Sequence, residues 1–385
     1  MEKHPQTISI RPFLLGLIFI LLSGCSSPPQ TQEVDILAAL SNPGEKDCHA
    51  RAETVVPFEF PRDAGPHPAF KTEWWYYTGN LTLEPEPNEP PRPPRHFGFQ
   101  LTFFRQALAC EKTSGPSQWR TRQLYFAHFA LTDTKGNQFY SALRMNRGSL
   151  EIAGATPHRV WIDNWEARSI APNHQTLRAS HRGKTPQKDF HIQFNLGPPG
   201  QTILQGQRGL SPKGPGSASH YYSQTRIPTQ GRIQIGPHIH QVKGLSWFDH
   251  EWSTSTLDKN VKGWDWFAGH LKDGQDLMVC QIRQADGRPN GFGFGSLVDK
   301  KGRVIILKEK DFELEVLDHW TSPATGKRYP SKWQIRIPAQ NINFTATPVI
   351  PHQEHTQAFA YWEGALEFKD KKGLQGRGYG ELTGY

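Results

Sequence analysis

The most concentrated chemistry in the chain lies in residues 244–252, which read GLSWFDHEW. Side chains alternate along a β-strand, so Trp247, Asp249 and Glu251 are predicted to share one face. Two carboxyls set among aromatic rings are typical of a desolvated acid site, because burial and like charge both favour a retained proton. This pattern predicts that one of the two carboxyls stays protonated and can act as a general acid.

The same cluster admits a structural interpretation. One of its carboxylates could instead bind Arg226, which ends the segment YYSQTR, and so hold two domains together. A zinc site is not predicted, because no second histidine follows His250 four residues later, as the HExxH helix requires. No metal is therefore expected at this cluster.

Three other polar residues stand alone in aromatic segments: Glu73 before a Trp pair, His128 in FAHF, and Glu363 in YWEG. Buried polar groups need partners, so a hydrogen-bonding role is predicted for each. A serine hydrolase is not indicated, because the chain has no GxSxG motif and lacks the alternating helices of that fold.

The N-terminus has the features of an exported lipoprotein. An apolar run over residues 13–22 is about half the length of a spanning helix and follows positive charge. The tetrapeptide LSGC, which ends at Cys25, resembles a lipobox, so residues 1–24 are predicted to be a signal peptide and Cys25 to be lipidated; an ordinary signal peptide before a cysteine is the alternative. Residues 25–50 are predicted to be a tether. The resemblance to Gram-negative lipoproteins implies, from Ser26 rather than Asp after the cysteine, a location on the periplasmic face of the outer membrane, which makes the membrane an expected partner.

Composition predicts a β-rich chain. The sequence holds 12 Trp, 22 Phe and 10 Tyr with 35 Gly and 31 Pro, which fits many short strands joined by turns. The mean hydropathy of −0.63 excludes a later spanning helix. The net charge of +8 fits a basic surface near an anionic membrane, and no nucleic-acid-binding module is present, so no nucleic acid is expected as a partner.

Three cysteines remain besides Cys25. Cys48 and Cys110 could pair in an oxidising compartment, since both fall in the first predicted domain. Cys280 follows the apolar residues LMV and is predicted to be a buried thiol.

Strand-like segments are predicted over residues 73–81, 97–105, 125–132, 148–152, 190–196, 231–235 and 241–252. The Pro-rich segment 84–95 cannot be a central strand and is predicted to be an exposed hairpin loop. The Gly- and Pro-rich segment 206–217 is predicted to be a loop over one end of the domain.

A faint internal repeat predicts how these strands are organised. WYYTGNL at residues 75–81 resembles WDWFAGHL at residues 264–271, and LTDTKGN later resembles LVDKKGR in the same order. The simplest account is one antiparallel architecture used twice, over residues 51–245 and 246–385. Closed or nearly closed barrels would remove exposed sheet edges, and an eight-stranded barrel leaves room for one small ligand.

The motifs together resemble the CrtC/AttH family of lipocalin-like proteins. The segments that carry the resemblance are HPAFKTEWWYYTGNL at 67–81, QLTFFR at 100–105, AHFALTD at 127–133, YYSQTR at 221–226, WFDHEW at 247–252, GWDW at 263–266 and GYGELTGY at 378–385. The resemblance implies an all-β fold of two lipocalin-like barrel domains in tandem. The family includes carotenoid 1,2-hydratases and proteins called predicted secreted hydrolases, which implies a hydrophobic isoprenoid or lipid-like ligand.

The resemblance also implies site residues. The hydratases protonate a terminal isoprenoid C=C and add water without a cofactor, so no cofactor is expected. In their pattern a His-x-Trp pair precedes a Tyr-x-Asp pair whose aspartate donates the proton. The matching positions, and so the candidate catalytic residues, are His220, Tyr222, Trp247 and Asp249, with both aromatic residues exchanged for other aromatic residues. The candidate ligand-binding residues, drawn from the same motifs, are Glu73, Trp75, Gln100, Arg226 and Glu251.

Three hypotheses follow. The chain is an enzyme that uses Asp249 as a general acid on a hydrophobic substrate, for hydration, isomerisation or hydrolysis; or a carrier of an apolar ligand; or a structural envelope lipoprotein. The enzyme and the carrier both need a roomy aromatic pocket, and only the enzyme needs Asp249 to face it.

Overall fold

The computed structural model describes residues 48–84, 95–109, 115, 117–254, 260–358 and 360–385. All of them belong to one compact unit, Val34–Tyr385. The predicted signal peptide, Cys25, most of the tether and Cys110 lie outside the described residues, so what the sequence indicates for them stays a prediction. Within the described part, no helix is long and apolar enough to cross a bilayer. Cys280 is a buried free thiol, as predicted.

The first sheet, sheet A, has 13 antiparallel strands in the described part of the chain. They are β1 Thr72–Leu83, β2 His96–Ala107, β3 Gln123–Asp133, β4 Gln138–Arg147, β5 Ala153–Thr156, β6 Arg159–Ile162, β7 Trp165–Ala171, β8 His174–His181, β9 Phe190–Leu196, β10 Gln201–Leu204, β11 Leu210–Gly214, β12 Ser217–Ile235 and β13 His238–Ser253. Neighbours follow the order β4-β3-β2-β1-β13-β12-β9-β8-β7-β6-β5, and β10 and β11 pair with β12.

The second sheet, sheet B, has 10 antiparallel strands among the described residues. They are β14 Val261–Leu271, β15 Asp276–Gln284, β16 Phe294–Val298, β17 Val304–Lys308, β18 Glu313–Thr321, β19 Arg328–Ile337, β20 Ile342–Pro348, β21 Glu354–His355, β22 Tyr361–Asp370 and β23 Gly373–Leu382. Their order is β17-β16-β15-β14-β23-β22-β20-β19-β18, with β21 on β22. Short 3₁₀ turns occur at Arg62–Ala64, Pro186–Lys188, Glu309–Asp311 and Pro338–Gln340.

The two sheets curl around separate cores, which confirms the predicted all-β fold of two curled or nearly closed antiparallel units. One face of β1 and β13 supplies Trp75, Tyr77 and Phe248 to the core inside sheet A. A second core inside sheet B includes Trp333 and Phe344. The opposite face of β1 and β13 contacts sheet B, because a sheet with aromatic residues on both faces must bury both.

The internal repeat is visible in the strand order. Strands β1, β2 and β3 form a meander whose first strand pairs with β13, the last strand of sheet A. Strands β14, β15 and β16 form the same meander, and β14 pairs with β23, the last strand of sheet B. Strand β13 continues past residue 245 and stays paired with β1 up to Ser253. The passage between the sheets therefore lies between Ser253 and Val261, later in the chain than the predicted boundary.

Two local predictions differ from the structure. Residues 148–152 form turns rather than a strand, because Leu150 and Glu151 adopt left-handed backbone with φ of 52° and 56°. Part of the predicted loop at 206–217 forms β11, since its backbone pairs with the start of β12. The other predicted strands all lie within observed strands.

Polar contacts join the two sheets. Asn80 Nδ2 donates to the carbonyl oxygen of Gly378 at 3.0 Å, and Thr132 Oγ1 donates to Gln353 Oε1 at 2.7 Å. His128 Nδ1 lies 2.6 Å from the hydroxyl of Tyr361, which fits its predicted hydrogen-bonding role. Burial lowers the pKa of His128 to about 3, so the ring is neutral.

Candidate active site

Asp249 lies near the middle of sheet A, on the face of β13 that contacts sheet B. Its register partners are Tyr76 on β1 and Ser223 on β12. Glu251 follows two residues later on the same face and has an aromatic partner on each side. The strand pairing therefore surrounds both acids with hydroxyl and aromatic side chains, and the predicted face of β13 is the one that forms the site.

Sheet B presents a matching arrangement. Glu381 on β23 is paired with Trp266 on β14 and with Glu363 on β22. The sequence repeat aligns Trp266 with Tyr76, and Tyr76 is paired with Asp249 as Trp266 is paired with Glu381. Asp249 and Glu381 consequently occupy equivalent positions in the two halves, one on each wall of the space between the sheets.

The space between these two walls is a pocket. Its non-atom volume is about 780 Å³, a figure that includes space open to solvent. Its aromatic lining consists of Trp74, Tyr76, Phe104, Tyr221, Trp264, Trp266, Phe294 and Tyr361. Its charged or titratable lining residues are Lys213, Asp249, Glu251, Cys280, Glu363 and Glu381. The pocket is therefore apolar with a few placed polar groups.

Three hydrogen bonds hold the carboxyl of Asp249. The Tyr221 hydroxyl donates to Oδ2 at 2.7 Å, while Ser223 Oγ donates to Oδ1 at 2.5 Å and Trp247 Nε1 donates to Oδ1 at 2.8 Å. A carboxyl offers about four acceptor positions, so one position on Oδ2 remains for a transferable proton. The hydrogen bonds therefore hold the Asp249 carboxyl in place and leave Oδ2 able to donate a proton.

Burial decides the protonation state of Asp249. The residue is 3% exposed, and burial raises its pKa from the ordinary 3.8 to about 7, against the three hydrogen bonds and with a smaller contribution from Glu251. A large fraction of the molecules therefore carries a proton on Asp249 near neutral pH. This is the pKa range in which a general acid works best.

The second carboxyl of β13 is in a different state. Glu251 Oε1 lies 2.9 Å from Lys213 Nζ. That ammonium also lies 4.2 Å from the ring centre of Phe294 and 5.3 Å from that of Tyr221. Glu251 thus forms an ion pair, which leaves Asp249 as the proton-carrying acid of this wall.

The acids of sheet B carry protons as well. Burial raises the pKa of Glu381 to about 8, with further contributions from Asp249 and Glu251. Burial also raises the pKa of Glu363 well above its ordinary value, and the adjacent Glu381 adds to the effect, against hydrogen bonding from Tyr76 and Tyr361. With Lys213 balanced by Glu251, the pocket is close to neutral near pH 7. A charged ligand would gain little there, and a neutral ligand fits.

Comparison with known proteins places the chain in a family. An AttH-like family model matches residues 51–385. The chain belongs to the AttH-like family. This confirms the resemblance predicted from the motifs. No curated protein sequence matches the chain.

Two solved structures resemble this AttH-like chain. A protein assigned as an AttH from Nitrosomonas europaea has a TM-score of 0.76 and 32% identity, and the match covers 87% of this chain and 99% of that one. Kievitone hydratase from Nectria haematococca has a TM-score of 0.61 and 13% identity, with 85% of this chain and 93% of that chain covered. At that identity the second match shows a shared fold alone.

The candidate catalytic residues lie on two faces in this member of the family. Trp247 and Asp249 lie on the same face of β13, where Asp249 lines the pocket and Trp247 donates a hydrogen bond to Asp249. His220 and Tyr222 lie on the other face of β12, in the aromatic surroundings of Trp252 inside sheet A. The residues of β12 that reach Asp249 are Tyr221 and Ser223, because the register sets Tyr221 opposite Glu251 and Ser223 opposite Asp249.

Arg226 does not clamp Asp249. Its Nη2 donates to Asp276 Oδ1 at 2.6 Å and to the carbonyl oxygen of Gln275 at 2.8 Å. The arginine does join sheet A to sheet B, but through Asp276 on β15, which His270 also contacts at 2.8 Å. The alternative in which Arg226 neutralises Asp249 is wrong for this reason.

Glu73 lies in the core of sheet A rather than on the pocket. Arg105 Nε donates to Glu73 Oε2 at 2.8 Å, and His67 Nδ1 and His250 Nε2 lie 2.8 and 2.9 Å from Oε1. Trp75 stacks on His250. His67, Glu73 and His250 place three possible metal ligands within 4.8 Å of one another, but Arg105 already balances the carboxylate charge. The contacts describe a buried ion-pair network.

Gln100 lies beside the pocket, on the face of β2 that contacts sheet B, and its Nε2 donates to Thr102 Oγ1 at 2.6 Å. The pocket residues that were missed as site candidates include Tyr221, Lys213, Glu363 and Glu381. The internal repeat contained a signal for Glu381. It aligns Tyr76 with Trp266, and these are the residues paired with Asp249 and Glu381. No sequence signal joined Lys213 to the site.

Asp249→Asn is expected to change how stability depends on pH. The folded pKa is about 7 and the ordinary value is 3.8, so the contribution of Asp249 is complete below about pH 4 and is lost as pH rises toward 7. Buried histidines such as His250, whose pKa is lowered by burial, act in the opposite direction. The difference in melting temperature between wild type and the variant should therefore fall between about pH 4 and pH 7. A difference that stays constant over this range would contradict the assignment.

Proposed function

We propose that this protein is an acid catalyst that protonates a C=C bond of a neutral, largely apolar molecule bound between the two sheets. The single observation that carries the proposal is Asp249, a carboxyl that keeps its proton near neutral pH on the wall of an aromatic pocket. Proton transfer to carbon leaves a carbocation, and the surrounding indole and phenol rings can stabilise positive charge on their faces. Water then adds and gives up a proton to the Asp249 carboxylate to leave an alcohol, or the carbocation loses a carbon-bound proton to the same carboxylate to leave an isomer.

Two further observations support this proposal. Kievitone hydratase, whose name describes the addition of water, shares the fold. The pocket also supports a binding role over a purely structural one, because locking two sheets together does not require an aromatic pocket with a buried acid on its wall. A carrier would share the pocket but not require the proton.

The reaction takes place, in this proposal, at the bacterial envelope. The support is the sequence alone, since Cys25 ends a lipobox-like segment and residues 25–50 are predicted to be a tether. An isoprenoid or another lipid-like molecule of the membrane is the substrate class that such a location offers.

Deuterium incorporation tests the proposal whichever product forms. Purified protein is incubated in D₂O with β-farnesene or squalene, and the recovered lipid is examined by mass spectrometry. Hydration and isomerisation both place deuterium on carbon, so either outcome supports acid catalysis. Binding of these lipids with no deuterium on carbon would assign the protein to the carrier class instead.

A further inference from the structure

The wall of the pocket on sheet B carries a pair of acids. Proton donation by Asp249 does not require them. Glu363 and Glu381 are direct cross-strand partners, so their Cβ atoms are about 5 Å apart. Both line the pocket. Glu363 is 1% exposed and its Oε1 has no hydrogen-bond partner of good geometry. The hydroxyl of Tyr76, which comes from sheet A and also lines the pocket, has no partner of good geometry either, but it lies beside Glu363, and hydrogen bonding from Tyr76 and Tyr361 acts to lower the pKa of the Glu363 carboxyl.

No cation of the described pocket lining is available to the pair. Lys213 is the only basic residue that lines it, and its ammonium is paired with Glu251. Two adjacent buried carboxyls without a cation cannot both ionise, because like charge and lost hydration act together. The pair is therefore a source of O–H donors directed at the pocket, and a buried donor that stays unmatched costs free energy.

We propose that Glu363 and Glu381, together with the hydroxyl of Tyr76, form a polar subsite that binds an acceptor oxygen of the ligand. This inference rests on the proposed function and narrows its substrate class. The substrate is a neutral unsaturated molecule that carries a carbonyl or hydroxyl oxygen in addition to the C=C that faces Asp249. A pure hydrocarbon fills the aromatic part of the pocket but leaves this subsite unmatched.

A matched pair of probes tests the subsite. Geranylacetone is an isoprenoid ketone, and its methylene analogue has CH₂ in place of C=O. Binding of each is followed by the fluorescence of the tryptophans that line the pocket, Trp74, Trp264 and Trp266. The quantity compared between proteins is the ratio of the two dissociation constants, which cancels the different water solubilities of the probes.

Glu363→Met and Glu363→Gln separate the hydrogen bond from the shape of the side chain. Methionine has a similar volume and no donor, so the preference for the ketone should fall roughly 3- to 10-fold. Glutamine keeps an N–H donor and should preserve the preference within about twofold. Both changes replace an uncharged group by an uncharged group, so the fold should tolerate them; Glu381→Met is the second donor-free variant if Glu363→Met does not fold.

The outcomes are distinct. A reduced ketone preference in the methionine variant and a retained preference in the glutamine variant support the subsite. If both probes bind and the ratio is the same in all proteins, the subsite is overturned while the proposed function stands. If neither probe binds to wild type, the proposed function fails and the subsite fails with it.

Discussion

Glu73→Gln is expected to destabilise the fold by about 3–5 kcal/mol, since removing one partner of a buried ion pair leaves the other charge uncompensated. The partner is Arg105, whose side chain is 1% exposed and whose Nε donates to Glu73 at 2.8 Å. The same carboxylate accepts hydrogen bonds from the backbone N–H of His67, at 3.0 and 3.1 Å. Glutamine keeps the shape of the side chain but cannot balance the guanidinium.

The free energy of unfolding in urea measures this loss. The double variant Glu73→Gln/Arg105→Met serves as the control, because a buried pair replaced by uncharged residues is often close to neutral. It should recover a substantial part of the stability. A loss below about 1 kcal/mol in the single variant would show that water reaches Arg105 and that the network is not buried as described.

The network also sets the acid side of the stability profile. The hydrogen bonds from His250 and His67 and the charge of Arg105 outweigh burial and hold the pKa of Glu73 well below its ordinary 4.5. Its contribution to stability is therefore complete above about pH 4.5 and is lost as pH falls below that value. Asp249 acts in the opposite direction over a higher pH range.

Much of the site could be predicted from the alternation of side chains along a strand. Alternation along β13 correctly places Trp247, Asp249 and Glu251 on one face, because the side-chain period of a strand does not depend on its neighbours. Which side chains of the neighbouring strands lie beside Asp249 depends on how those strands are registered against β13. The bulge in β12 between Gln224 and Ile227 changes the pairing, so sequence spacing cannot show that Tyr221, rather than Tyr222, reaches Asp249.

Contacts across large sequence distances explain the other differences. Lys213 approaches Glu251 only because β11 folds back onto β12, and the Gly- and Pro-rich sequence around it is typical of a loop. Arg226 sits in left-handed backbone with φ of 50°, at the bulge of β12, and pairs with Asp276 of the other sheet. Neither partner choice is encoded in local sequence. The first follows from the strand pairing within sheet A, and the second follows from how the two curled sheets meet.

Asp249 and Glu381 occupy equivalent positions in the two halves of the chain, which explains why an acid is present on each wall of the pocket. A repeated architecture brings two closing strands face to face, and each carries an acid opposite an aromatic residue of its first strand. Burial raises the pKa of both. The two acids differ in their hydrogen bonds, since Asp249 accepts three whereas Glu381 has one, from Trp264, and lies beside a second carboxyl. This asymmetry assigns proton donation to Asp249 and oxygen binding to the other wall.

Asp249→Asn is expected to lower the rate of deuterium incorporation by about 10²–10⁴-fold, the usual contribution of a general acid. Asparagine keeps the size of the side chain and can still interact with Tyr221, Ser223 and Trp247, so binding of β-farnesene should remain within about threefold of wild type. In the wild-type protein the rate should fall as pH rises above about 7, because only the protonated acid donates.

Asp265→Asn is the matched control for this change. Asp265 is also a buried aspartate with a pKa raised by burial, but it is paired with Arg283 and does not line the pocket. This variant should lose stability and keep its deuterium incorporation below its melting temperature, whereas Asp249→Asn should keep most of its stability and lose incorporation. Equal loss of incorporation in both variants would mean that folding, and not a proton on Asp249, controls the reaction.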